Sequence, residues 1–197
     1  MKTYKLTAIA LTSILLFSFN IKSLNEVIDY LSFGKVVSFN NEKYTLSWSS
    51  NPTNSYNKQE YLVNPLKNES KRSMIIVEAV EGEIEASDAL NFKIQELEKR
   101  KEWDYVANYK VYTNEDKKNE AIIDFVVSDT GTIYEWNLYR YQTQIDKKKT
   151  KKLVLFAYSY RDSLNDNEDL KAFFNHITKY KVNLINQLQA YKIPQIK

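Results

Sequence analysis

Between residues 105 and 161 the chain carries four strand-like runs, at about 105–112, 120–128, 132–144 and 152–161. They are joined by the short polar turns "TNEDKKN", "SDTG" and "QIDKKKTK". This spacing limits the fold more than any other feature. Strands linked by turns this short pair antiparallel, because a parallel return needs a crossover of roughly a dozen residues or more. An antiparallel meander is therefore expected. Within it, "AIIDFVV" puts Ala121, Ile123, Phe125 and Val127 on one face and Ile122, Asp124 and Val126 on the other. Such a strand needs cover on at least one side.

Two segments with a helical period could supply that cover. In "ASDALNFKIQELEKRK" the apolar positions Leu90, Ile94 and Leu97 fall three or four apart, with Ser87 as the expected N-cap and Lys99, Arg100 and Lys101 at the C-terminal end of the dipole. Further on, Leu170, Phe173, Phe174, Ile177, Tyr180, Leu184, Leu188 and Tyr191 draw a stripe over about six turns. "NDNED" offers this second helix a cap and an acidic first turn, and Pro194 stands beyond its end.

The first half of the chain reads less regularly. "LNEVIDYL" has the spacing of a short helix, and "KVVSF" and "KYTLSW" read as a hairpin about "NNE". From 49 to 73 the chain is polar and contains Pro52 and Pro65, which suggests an irregular excursion with one edge strand near 60–63. "SMIIVEAV" is almost continuously apolar, as a central strand covered on both faces would be. With only 3 Gly and 3 Pro but 15 Tyr and 9 Phe, the chain favours pleated, half-buried surfaces. The expected class is α+β: an antiparallel sheet of about six to seven strands flanked by helices, with a long C-terminal helix packed on it.

Residues 1–23, "MKTYKLTAIALTSILLFSFNIKS", place Lys2 and Lys5 before an apolar run from Leu6 to Phe19 and a polar break, the layout of a secretory signal peptide. The run is short for a membrane span of about 20 residues, although an uncleaved anchor is the alternative. Cleavage near residue 23 would leave residues 24–197 as one domain. It would also remove three of the 28 basic residues and no acidic one, leaving 25 against 25. A balanced mature chain has no global field to draw it to polyanions. With no cysteine, neither lipid acylation at cysteine nor a disulfide framework is open to it.

The most conspicuous surface candidate is "LYRYQTQIDKKKTKKLVLFAYSYRD", where Lys147, Lys148, Lys149, Lys151 and Lys152 crowd a hairpin tip. If its arms pair, Tyr139, Tyr141, Tyr158 and Tyr160 become neighbours or near neighbours. Cations with aromatics are what single-strand nucleic-acid binders use. An exported, neutral protein has little occasion to meet that ligand, and lysines at tips are a common solubility device. A solvated tip is the preferred reading, with weak contact to an anionic surface as the alternative.

Catalytic signatures are missing from the sequence. His176 is the sole histidine, and neither a G-x-S-x-G elbow nor a cysteine nucleophile accompanies it. The acidic group Asp162, Asp166, Glu168 and Asp169 lacks the spacing and glycine of a calcium loop, so helix capping explains it better. Two carboxylate pairs, Glu83 with Glu85 and Asp124 with Glu135, could in principle serve a glycosidase. Trp48, Trp103 and Trp136 read as core anchors before sugar platforms. No catalytic residue, metal or cofactor is expected.

The order of elements, from "FNNEKYTLSW" through "SDALNFKIQELEKR" to "LVLFAYSYRDSLNDNEDLKAFFNHITKYKVNLINQL", resembles the PsbP-like fold shared with DcrB-like bacterial proteins. The likeness spans about residues 36–188 and carries no short diagnostic motif. It implies an antiparallel sheet between helices and a non-enzymatic binding or accessory role. The expected function is an exported envelope protein that binds an unknown protein or envelope component, as an accessory or chaperone-like protein. The alternative is a carboxylate-dependent hydrolase acting on envelope glycans.

Overall fold

The computed structural model describes residues 27–63, 72–112, 119–129, 132–145 and 149–196. The signal-peptide assignment and two of the tip lysines, Lys147 and Lys148, lie outside these residues.

Eight strands form one antiparallel sheet in the order β1-β2-β3-β4-β8-β7-β6-β5. The first four are β1 (Val36–Phe39), β2 (Glu42–Thr53), β3 (Tyr56–Leu62) and β4 (Arg72–Glu81). Helix α1 (Ala86–Arg100) then carries the chain to the far edge. From there β5 (Asn108–Tyr112), β6 (Glu120–Asp129), β7 (Ile133–Ile145) and β8 (Lys151–Ser163) step back as the expected meander, and α2 (Asn167–Ala190) follows. Two meanders thus meet at β4 and β8, which pair over ten residues from Arg72–Arg161 to Glu81–Lys152. The apolar run in β4 is central, as its composition demands.

The α+β class stands, but the strand count exceeds six to seven. The extra strand comes from the polar excursion at 49–73. There β2 runs on to Thr53, and β3 is an interior strand between β2 and β4 instead of an edge. Pro52 is accommodated because it falls within the register shift between Ser50 and Thr53, where no ladder N–H is required.

Side-chain alternation splits the core in two. One cluster joins α2 and the N-terminal segment to Val37, Phe39, Tyr44, Tyr61, Trp136, Phe156 and Tyr158. The other joins α1 to Met74, Ile76, Ile123, Phe125, Tyr139 and Leu155. The sheet is therefore a middle layer between two helical layers, with α1 lying over β5, β6 and β7.

Several local expectations change. The "LNEVIDYL" segment is not helical over its described residues. A helix this short is unstable in isolation, and Asp29 instead accepts from the Phe33 and Gly34 amides at 3.1 and 2.7 Å. Gln59 fastens the segment, accepting from the Leu31 amide at 2.8 Å and donating to Asp29 at 3.0 Å. Helix α1 is capped by Glu85, not Ser87, with Asp88 accepting from the Glu85 amide at 3.2 Å. Glu85 holds this position through Lys151 and through a 3.2 Å bond from the Thr143 hydroxyl. The α2 cap is Asp166, which accepts from the Glu168 and Asp169 amides at 2.9 Å each. Of the α2 stripe, Phe173, Ile177, Leu184 and Leu188 are buried, whereas Phe174 is exposed.

The loop after α1 is latched by Asp104. Its carboxylate accepts from Arg100 Nε at 2.8 Å, the Ser128 amide at 2.7 Å and the Ser128 hydroxyl at 2.8 Å. Burial pushes its pKa up, but these hydrogen bonds outweigh burial and hold it below the ordinary value. A lowered folded pKa stabilises the fold above the unfolded value of about 4 and ceases to do so as pH falls through the folded value. At pH 7 Asp104→Asn is expected to cost about 1–3 kcal/mol. Urea titrations from pH 7 to pH 3 should show the two proteins converging as the wild type loses this contribution. A constant gap over that range would refute the assignment.

Candidate functional site

The alternation of "YNKQEYL" in β3 sends Asn57, Gln59 and Tyr61 toward α2 and Tyr56, Lys58, Glu60 and Leu62 toward the α1 side. On β2, Leu46 pairs with Tyr61 but Trp48 pairs with Glu60, with a register shift between them. Residues two apart normally share a face, so the bulge is what turns Trp48 away from the α2 core. Because α1 covers the β5–β7 half, Trp48 is left 47% exposed.

Beside Trp48 lies a compact charged group. Lys58 Nζ is 3.1 Å from Glu60 Oε1 and 3.7 Å from Glu78 Oε1. The Tyr56 hydroxyl donates to Glu78 Oε2 at 3.1 Å. Glu78 pairs directly with Lys58 across the β3–β4 ladder, and Glu60 is one diagonal step away. Burial raises the Glu78 pKa, only partly offset by Lys58, the Tyr56 hydrogen bond and Lys93 of α1. Burial opposes the charge of Lys58, yet Glu78 and Glu60 together hold its pKa above the ordinary value. Burial and the adjacent Glu78 also push up the Tyr56 hydroxyl. Deeper in, Lys93 Nζ lies 2.7 Å from Glu96 and 5.5 Å from the ring centroids of both Phe125 and Tyr139. A lysine bridging two carboxylates beside an exposed indole can bind a polar ligand.

The lysine hairpin is built differently from the expectation. Leu138 pairs with Tyr158 and Tyr139 with Ala157, so partners across β7 and β8 share parity. Tyr139 and Tyr141 consequently face α1, while Tyr158 and Tyr160 face α2. They are not neighbours across the turn and form no surface with the lysines: Tyr139, Tyr141 and Tyr158 are 9%, 6% and 4% exposed. Tyr160 is half-buried, stacked on His176 at 4.1 Å. Burial, with a smaller contribution from Asp162, raises its hydroxyl to about 12. Of the lysines, Lys149 is exposed in a left-handed conformation with φ 64°. Lys151 pairs with Glu85 and, at 3.5 Å, with Glu83. Changing Lys149, Lys151 and Lys152 to Ser together with Lys147 and Lys148 is expected to leave the melting temperature almost unchanged, since exposed ion pairs stabilise little. A large drop by calorimetry would make the tip structural.

Neither carboxylate pair read from the sequence forms an acid–base site. Glu83 and Glu85 both hold Lys151 at the surface. Asp124 faces α2, where it accepts from the Tyr112 hydroxyl at 3.0 Å and pairs with Lys181 at 2.5 Å. Glu135 pairs with Val127 on the opposite face, so the sheet separates it from Asp124. Of the tryptophans, Trp136 is core, whereas Trp48 and Trp103 are exposed, the latter beneath the Arg100 guanidinium at 4.5 Å. Among the described residues no group of three or more His, Cys, Asp or Glu could hold a metal, and no helix is long and apolar enough to cross a membrane.

Lys58, Glu60 and Glu78 were missed in the sequence. The available signal was Glu78, the sole charge inside "SMIIVEAV". A carboxylate in a strand covered on both faces demands a partner, but the partner's identity depends on which strand pairs alongside.

The molecule is an α+β protein of helix, sheet and helix layers, with a charged, aromatic strip on the half of one sheet face that α1 does not cover. A protein-family model matches residues 31–193, and the chain belongs to that family. No curated protein and no solved structure matches it.

Proposed function

We propose that this is an exported envelope protein that acts by binding, through the strip formed by Trp48, Tyr56, Lys58, Glu60 and Glu78. The observation that carries this reading is the Trp48 bulge. It turns a large aromatic outward beside a desolvated charge cluster, where the regular register would have pointed it to the α2 side. Partly buried polar groups around an apolar platform are the usual makings of a recognition site. The resemblance to PsbP-like proteins supports an accessory role, and the signal-peptide layout expected of residues 1–23 supports the envelope. Mass spectrometry of purified envelope fractions tests the location: a chain beginning near residue 24 is expected, and an intact N-terminus in the cytosol would sink it. Capture of envelope material by immobilised wild type but not by Trp48→Ala tests the strip.

A second reading, hydrolysis of envelope glycans, draws on Glu60 and Glu78 lying together beside Trp48. Lys58 bridging both carboxylates favours binding over hydrolysis, because the ammonium occupies the space between them.

A further inference from the structure

We infer that the strip takes a neutral oligosaccharide, with the Trp48 indole under the apolar face of a pyranose ring and Lys58 and Glu60 bonding its hydroxyls. The inference rests on the binding role proposed for the strip and names its ligand class.

Charge comes first. Lys58 lies between two carboxylates, so these three side chains carry no excess of positive charge to attract phosphate, nucleic acid or an acidic sugar. A neutral ligand rich in hydroxyls remains suited to it. Lys58 meets both carboxylates as ion pairs, and an ammonium has three N–H donors where a carboxylate only accepts, so Lys58 can turn a donor toward a ligand hydroxyl. A vicinal diol needs a donor and an acceptor side by side, and Lys58 with Glu60 presents both 3.1 Å apart. Both side chains are half-buried, which strengthens their hydrogen bonds while leaving their ends reachable.

The platform is the second element. Trp48 sits directly across the ladder from Glu60, so a ring laid on the indole has its edge at the carboxylate. Leu62 on the same side is half-buried, and Val36 at the outer edge is exposed, with Thr45 between them. Tyr56 fixes Glu78 from the other end through its 3.1 Å hydrogen bond. Glu78 in turn pairs with Lys58, so the ammonium is held in place before a ligand arrives, which lowers the ordering cost of binding.

The test is isothermal titration and tryptophan fluorescence of the envelope-purified protein with two neutral trimers, one of N-acetylglucosamine and one of β-1,4-linked glucose. A galacturonic acid trimer serves as the anionic comparison. Saturable binding of at least one neutral trimer is expected, weakened at least tenfold in Trp48→Ala and Glu60→Gln but unchanged in Trp103→Ala. Both substituted side chains reach solvent, and circular dichroism reports whether the fold persists. The inference is overturned if neither neutral trimer binds, if Trp48→Ala binds as the wild type does, or if the anionic trimer binds more tightly. If the wild type captures envelope material through Trp48 yet binds neither trimer, the saccharide assignment falls and the binding role stands. If Trp48→Ala also leaves capture intact, both fall.

Discussion

Replacing Arg140 with Met is expected to cost about 3–5 kcal/mol, a large part of the stability of a domain this size. Arg140 projects from β7 toward α2 and is almost fully buried. Its Nη1 donates to the Leu188 and Tyr191 carbonyls at 2.7 Å each, meeting backbone acceptors that the end of α2 leaves open. Its Nη2 donates to Glu120 Oε1 at 2.7 Å, and Gln142 donates to the same oxygen at 2.8 Å. Removing the guanidinium takes its charge from beside the buried Glu120 carboxylate and leaves two carbonyls unmet, which is worse than removing both charges together. Arg140→Met with Glu120→Gln should therefore be distinctly more stable than Arg140→Met alone. Urea unfolding at pH 7 measures both, and a single-variant loss below about 1 kcal/mol would show that α2 is held by its apolar face alone.

Phe173→Ala and Leu184→Ala should each cost on the order of 2–5 kcal/mol through lost burial and the cavity left behind. Both side chains are fully buried on the sheet-facing side of α2, and Phe173 packs against Tyr134 and Tyr160 at 5.9 and 5.8 Å. Val182→Ala, on the exposed side of the same helix, should change little. Calorimetry of the three variants separates the faces. Unchanged melting by both buried variants would mean that α2 is not a fixed layer of the core.

What the sequence determined by itself was whatever depends on short-range pattern. The meander from β5 to β8 follows from alternating runs and short polar turns, since such turns permit only antiparallel pairing. Helix α2 follows from a 3.6-residue stripe and an aspartate cap, and the central place of β4 from a run apolar on both faces. The scarcity of Gly and Pro favoured a sheet-rich chain, but patterning read the polar stretch around β3 as irregular. "YNKQEYL" places four consecutive polar residues between its tyrosines, a pattern with no apolar alternation that becomes a strand only when β2 and β4 flank it.

Tertiary structure decided which residues meet. Tyr139 and Tyr158 look like partners across a hairpin, yet the parity of the β7–β8 register sends them to opposite faces. The same parity parts Asp124 from Glu135. In the other direction, pairing joined Lys58 to Glu78 across twenty residues of sequence, and one bulge in β2 placed Trp48 beside them. Side-chain facing has a period of two, so a shift of a single residue reverses it. Turn lengths and bulges set that shift through the whole sheet, and no local run of residues carries the information.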